Sequence, residues 1–372
     1  MMPHSVASLK LRPTWAEVSL ATVRENLKKL AALAGGASHV LFVVKANAYG
    51  HGAVRLARMA QDEKLCGFFG VSSIEEGITL RHNGITLPIL VLGSLYPFTV
   101  FREALANDLS ITVASLDAAR KLSEIAKEAG VVAKCHVKVD TGMGRIGSRR
   151  PGAVAIAEYL DKSPHTSIEG IYTHLSSVET DTQYTHMQLR YFADTIKDCT
   201  ERGIELGIKH AASSAAAVLH PESRFDMIRP GIAAYGNMDE FSPALQLKSR
   251  IVFLKDMRAG SSVSYGRSFR CRRQTRLATI PIGYADGYMR CLSNTADLLI
   301  GGKRCRIVGN ITMDMLMADV THVPEAAVGD EVVLIGRQGD DEITAGDLAL
   351  LAGTIPYETL TAVSTRVPRI YT

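Results

Sequence analysis

The segment Val43-Val44-Lys45-Ala46-Asn47-Ala48-Tyr49-Gly50-His51-Gly52 decides how this chain is read. The apolar run from Val40 to Val44 predicts a buried strand, and a single lysine stands where that strand gives way to a glycine-punctuated turn. A lysine so placed is held rigidly. Partial loss of water around its amine favours the neutral, nucleophilic form that can attack an aldehyde. The competing reading is a solvated lysine at an exposed strand end, the commoner case for an isolated Val-Lys pair.

Strands like this one recur along the chain. Short apolar runs fall near 40–44, 66–71, 88–92, 109–113, 133–139, 167–172, 206–210 and 225–228, eight in all. Helical patterns such as Leu116 to Ala129 and Gln183 to Arg202 lie between them, and that alternation predicts parallel strands. Eight such units fit a closed (β/α)₈ TIM-type barrel, with an open doubly wound sheet as the alternative. In a barrel the chemistry sits at the carboxyl ends of the strands, where Lys45 falls. From about residue 245 the pattern changes to strand-like stretches separated by turns at Gly260-Ser261, Gly301-Gly302 and Gln338 to Asp341. The expected organisation is a leader over 1–13, a barrel domain over 14–244 and a mostly-β domain over 245–372.

Composition sets bounds on function. The 372 residues are ample for two cores, and a hydrophobic share of 47% beside a charged share of 22% is that of a globular protein. A net charge of +4, from 42 basic and 38 acidic residues, is too balanced to predict a nucleic-acid or membrane partner. The cluster Arg267, Arg270, Arg272, Arg273 and Arg276 lacks an aromatic ladder and reads as a solvated hairpin. No signal peptide or membrane-spanning run is apparent, so a cytoplasmic location is expected. Six widely spaced cysteines without a C-x-x-C pair predict reduced thiols, and no metal is implied.

Six further segments carry chemistry. Lys138-Val139-Asp140-Thr141-Gly142-Met143-Gly144-Arg145-Ile146-Gly147 follows the fifth predicted strand and contains a G-x-G-x-x-G. A dinucleotide fold would need an acidic residue at the end of the next strand, but Glu169 lies at its start and His174 follows its end. His210 to Ser214 with Ala215-Ala216-Ala217 reads as a strand end, a cap and a helix, a natural phosphate cradle or a plain helix start. Ile228-Arg229-Pro230-Gly231-Ile232 has a glycine that lets backbone approach a ligand closely. The last third supplies Val263-Ser264-Tyr265-Gly266, Ile282 to Gly287, and Thr312-Met313-Asp314.

Taken in order, Val-Lys-Ala-Asn-Ala-Tyr-Gly-His-Gly and these later segments resemble the signatures of the alanine racemases, from about Thr14 to Arg369. The resemblance implies an isomerase dependent on pyridoxal 5'-phosphate (PLP), with Lys45 as the lysine bonded to the cofactor. It implies phosphate contacts from Tyr49, Ser214, Gly231, Ile232 and Tyr357. Arg229 would face the pyridine nitrogen with His174 in support. Because an arginine cannot accept that proton, the ring would be a weaker electron sink than one opposed by a carboxylate. Arg145 would bind the substrate carboxylate with the Met313 amide, and Lys138, often carbamylated in the family, would orient Arg145. Tyr284 and Asp314 would line the access corridor. Lys45 and Tyr265 would be the two bases interconverting L- and D-alanine, Tyr265 arriving from the second subunit of a homodimer, with D-alanine supplied for peptidoglycan. Thr312 and Ser213 depart from a cysteine and an asparagine common in the family, neither a proton-transfer group.

Three rivals share parts of this pattern. A racemase of serine or another amino acid would use the same machinery. A PLP decarboxylase would bring a glycine triplet and an acidic pyridine partner, both missing here. A PLP-binding carrier would be a barrel without residues 245–372.

Overall fold

The computed structural model describes residues 12–372, so residues 1–11 of the expected leader lie outside the described residues. Two compact units result. One comprises residues 12–22, Tyr49–His51 and Ser242–Thr372; the other comprises Val23–Ala48 and Gly52–Phe241.

The larger unit is the barrel. After a first strand, β1 (Thr14–Val18), which belongs to the other unit, come β2 (Leu41–Val43), β3 (Phe68–Val71), β4 (Ile89–Val91), β5 (Ser110–Val113), β6 (Ala133–Lys138), β7 (Thr166–Tyr172) and β8 (Ile208–His210). Strands β2 to β8 form one parallel sheet in sequence order. Both faces of β2, β4 and β5 are buried, which is why these strands read as continuous apolar runs. The eighth segment closes the ring through single bridges. Leu41 N donates to Ile228 O at 2.8 Å and Val43 N to Pro230 O at 2.9 Å, while Arg229 N donates to Ala212 O at 2.9 Å on the other side. Pro230 has no N–H to extend the ladder, so this segment is a clasp rather than a regular strand.

The helices between strands start and stop on local signals. Ser115 Oγ accepts from Ala118 N at 3.1 Å to cap Leu116–Ala129, and Gly130, at φ 68, ends it. That helix buries Ala118, Ala119, Leu122, Ile125 and Ala126, a spacing that lays one stripe on the sheet. Burying Leu122 and Ile125 contributes about 1.5–3 kcal/mol each.

The smaller unit is mostly β. Its main sheet runs Lys303–Arg306, Asp297–Ile300, Glu331–Gln338, Leu245–Arg250, β1 and Arg369–Tyr371. The alternating chain of β1 pairs antiparallel with Leu245–Arg250 and parallel with Arg369–Tyr371, which places this strand in the sheet of the smaller unit. A second sheet joins Phe253–Met257, Thr275–Ile280 and Leu316–Asp319. Ser262–Val263 and Phe269–Arg270 form a small hairpin. Two helices, Ala345–Ala352 and Pro356–Ala362, also belong to this unit, the first started by a capping box between Thr344 and Asp347. No helix among the described residues is long and apolar enough to cross a membrane.

Candidate active site

Lys45 lies two residues past β2, where Val44 N still donates to Gly70 O at 2.8 Å. Tyr235, fully buried, donates its hydroxyl to Val43 O at 2.8 Å and so fixes the strand end from inside the barrel. Beyond the lysine the backbone turns left-handed: Ala46, Asn47, Ala48 and Tyr49 have φ of 51°, 53°, 54° and 52°. Each such non-glycine residue costs roughly 1–2 kcal/mol, so the turn has to be held. Glu76 does this by accepting from Ala46 N at 2.6 Å and, with its other oxygen, from Ser72 N at 2.8 Å. Burial pushes the Lys45 amine below its ordinary pKa, the charges of Arg145 and Arg229 push it further down, and Glu76 pulls it back up.

Arg229 is buried at the barrel's closing segment. Its guanidinium donates to Thr173 O at 2.7 Å, Ala211 O at 3.0 Å and His210 Nδ1 at 3.1 Å, with His174 Nδ1 at 3.4 Å. The close acceptors are carbonyls and a ring nitrogen rather than a carboxylate, and burial lowers its pKa to about 10. Because arginine can only donate, it fixes the tautomers behind it. His210 must present a bare Nδ1, so its Nε2–H donates to His136 Nδ1 at 3.0 Å, and His136 Nε2–H donates to Glu169 Oε2 at 3.3 Å. Ser110 donates to the same carboxylate oxygen. The relay runs from Arg229 to Glu169 in the middle of β7, and Gly170 makes room for it, since a Cβ there would lie 2.4 Å from His136 Nδ1. Burial and Arg229 hold His210 well below the usual histidine range, and the same influences act on His174.

Lys138 ends β6 with its Nζ 4.6 Å over the Tyr172 ring, and burial with the charges of Arg229 and Arg145 keeps its amine far below the usual lysine pKa. Arg145 is exposed, on a loop that wraps Asp140: the carboxylate accepts from Gly142 N at 3.0 Å and Gly144 N at 3.1 Å. The glycines of G-x-G-x-x-G thus serve a loop, and the next helix opens only at Arg150, so the dinucleotide turn is absent here. Tyr184 donates to Gly142 O at 3.0 Å and Gln188 to Thr141 Oγ1 at 3.2 Å, which fastens the loop to the helix Thr182–Glu201. Ser214 is buried and accepts from Gly231 N at 3.0 Å and Ala233 N at 3.2 Å, which binds the cradle helix to the Gly231-Ile232 turn. Lys45, Lys138, Arg145, His174 and Arg229 thus form one electrostatically coupled set, and Ser214, Gly231 and Ile232 another patch of the same barrel.

The other predicted residues fall in the smaller unit. Tyr49 and Tyr357 come together with ring centroids 5.8 Å apart, and Arg369 donates to Gly50 O at 2.8 Å beside them. Tyr284 and Met313 are joined through backbone, with Tyr284 N donating to Thr312 O and Ala285 N to Met313 O, both at 3.0 Å. Asp314 pairs with Arg366 at 2.7 Å. Tyr265 sits at the hairpin tip with 75% of its surface exposed, its carbonyl held by Asn310 Nδ2 at 2.8 Å. Glu76, Tyr235, His136 and Glu169 were assigned no role from the sequence, and His210 was read only as the strand end before the cradle helix. Only Glu76, three residues after Ser73 in a capping pattern, left any signal in the sequence.

These residues fit PLP. A low-pKa amine, a buried arginine without a carboxylate partner and a hydroxyl among backbone amides match an aldehyde, a ring nitrogen and a phosphate.

The chain matches two family models, that of the alanine racemase N-terminal domain over residues 18–239 and that of the C-terminal domain over 244–371. It is 43% identical over 370 residues to the alanine racemase of Symbiobacterium thermophilum, covering 97% of each chain. The alanine racemase of Halothermothrix orenii is 40% identical over 372 residues, again with 97% of each chain covered. Among solved structures, the Bacillus anthracis alanine racemase with bound L-Ala-P superposes with a TM-score of 0.92 at 35% identity, covering 98% of this chain and 96% of that one. The Clostridium difficile 630 alanine racemase gives a TM-score of 0.91 at 38% identity, with 97% and 96% covered.

Proposed function

The chain belongs to the alanine racemase family, isomerases that act on amino acids, and on that premise we propose that it interconverts L- and D-alanine with PLP as its cofactor. The observation that carries the reading is Lys45, an amine fixed at the carboxyl end of a barrel strand and held below its ordinary pKa by burial and two arginines.

When bound, PLP supplies the conjugation that makes a Cα–H bond acidic near neutral pH. Lys45 would hold it covalently, and the family resemblance assigns its phosphate to Ser214, Gly231 and Ile232 of the barrel and to Tyr49 and Tyr357 of the smaller unit. Arg229, braced by His210 and two carbonyls and supported by His174, would donate to the ring nitrogen and could not take its proton. Arg145 and the Met313 amide orient the substrate carboxylate. Lys45 Nζ takes or returns the Cα proton on one face, and Tyr265 Oη of the partner subunit does so on the other. Inversion follows when the proton leaves to one base and returns from the other. Tyr284 and Asp314 stand along the approach, and Lys138 positions Arg145. D-Alanine so made is a building block of peptidoglycan.

The test is incubation with L-alanine, and separately L-serine and L-lysine, in D₂O, followed by chiral separation with mass detection. D-Alanine carrying one α-deuterium, formed faster than the other products, is the expected result. Faster D-serine would reassign the substrate, and no D-product from protein with intact bound PLP would remove racemisation altogether.

A further inference from the structure

Outside the site just described, the helix Thr182–Glu201 brings His186 to His220 and Glu222 in the segment after the helix Ser214–Leu219. His186 Nε2 lies 3.0 Å from Glu222 Oε1, and His220 Nδ1 lies 3.5 Å from the same oxygen. All three ligand atoms fall within 4.8 Å of one another. We propose that His186, His220 and Glu222 bind one divalent transition-metal ion of the Zn²⁺ class.

The argument begins with His220, which is buried. Its Nε2 lies 3.1 Å from Val178 O, and a carbonyl can only accept, so that nitrogen carries the hydrogen. In the neutral ring Nδ1 then presents a lone pair to Glu222, itself only an acceptor. Two acceptors 3.5 Å apart call for a cation between them, either a second proton on the ring or a metal.

Several features favour the metal. A histidine that ligates through one nitrogen while giving its other N–H to a backbone carbonyl is the usual outer-shell arrangement of metal sites. Metal–ligand bonds of about 2.0–2.2 Å in a tetrahedron put ligand atoms about 3.4 Å apart, close to the two separations to Glu222 Oε1. His186 and Glu222 are exposed, so rotation of the His186 side chain closes the remaining gap and solvent supplies the fourth ligand. Two imidazoles and one carboxylate suit Zn²⁺ and its neighbours better than Mg²⁺ or Ca²⁺, which take oxygen. The rings of His186 and His220 already meet edge to face with centroids 5.7 Å apart, so little reorganisation is needed. The ion would tie the helix whose Tyr184 and Gln188 fasten the Arg145 loop to the segment that follows Ser214.

Calorimetric titration of the holoprotein with ZnCl₂ tests this, with Glu222→Gln and His186→Gln beside the unsubstituted chain. Both substitutions are exposed and keep side-chain size, and equal Tm without metal verifies that they fold. One Zn²⁺ per chain, bound at least tenfold more weakly in each variant, is expected, together with a Zn²⁺-induced rise in Tm that the variants lose. Equal binding in all three proteins, or none in the unsubstituted one, would overturn the site and leave a plain histidine–glutamate ion pair.

Discussion

His210 is kept neutral by a donor it cannot refuse. Arg229 occupies its Nδ1, burial removes water, and the ring's pKa falls well below its ordinary value. Unfolding returns the ring to a pKa of about 6.5, so below that pH the unfolded chain binds a proton that the folded chain excludes. This contribution to stability is therefore full above about pH 6.5 and declines as pH falls, by about 1.4 kcal/mol per pH unit. His174, lowered by the same influences, adds a slope of its own, so in urea unfolding across this window His210→Gln should reduce the pH dependence without abolishing it; an unchanged slope would mean that His210 is already charged in the fold. Lys138 follows the same logic. Burial and two arginines push the Lys138 amine toward its neutral form, and the neutral amine is the form that adds CO₂, its nitrogen bonding to carbon and losing a proton to become a carbamate. The anion so formed would lie among cations. Exchange with ¹³C-bicarbonate should give one carbamate resonance that Lys138→Ala lacks, and its absence from the unsubstituted protein would exclude the modification. Lys45, Lys138, Arg145 and Arg229 were legible because each sits in an ordered run of neighbours. His136, Glu169 and Tyr235 were not, because their partners lie tens of residues away and only the closed barrel brings them together.

At the scale of elements, the alternation of apolar runs and helices predicted the seven strands of the parallel sheet, and β2 to β8 lie within two residues of the expected limits. The eighth run, expected near 225–228, carries its bridges at Ile228 and Arg229, and Pro230 limits it to a clasp. The left-handed turn after Lys45 was hidden for a physical reason. Positive φ is usually announced by glycine, and Ala46 to Tyr49 contain none. The turn is held instead by Glu76, from the next helix but one, and by the packing of Ala48 and Tyr49. Substitution at exposed Ala46 isolates the backbone contribution. Ala46→Val adds a β-branch in a region that L-residues avoid and should lower stability by about 1–2 kcal/mol in urea unfolding. Ala46→Gly should leave it equal or higher, because relief of the left-handed penalty offsets the added freedom of the unfolded chain. Equal losses for both would locate the effect in side-chain contacts.

At the scale of the whole molecule, the smaller unit exposes several large apolar side chains. Tyr265, Tyr284, Met313, Met315, Leu350 and Ile355 are all exposed in the smaller unit, Leu350 by 82% and Tyr265 by 75%. The family resemblance implies a second copy of the chain, with Tyr265 serving the neighbouring subunit. The sequence carried the alternating strands of this unit. It gave no sign that β1 would join their sheet, because strand pairing across more than 200 residues leaves no local mark. The helix Ala345–Ala352 was also missed: its Leu348, Leu350 and Leu351 continue the apolar texture of the strands, and its start lies in the Thr344–Asp347 capping box. If Tyr265 serves the neighbouring subunit, a homodimer has two sites, each built from both chains. Lys45→Ala and Tyr265→Phe should then each be inactive as pure proteins. A hybrid dimer, co-expressed with two different tags and purified through both, would carry both lesions in one site and neither in the other. It should recover roughly half the activity of the unsubstituted dimer. If Tyr265 acts on the Lys45 of its own chain, every site in the hybrid is defective and the mixture stays as inactive as its parents.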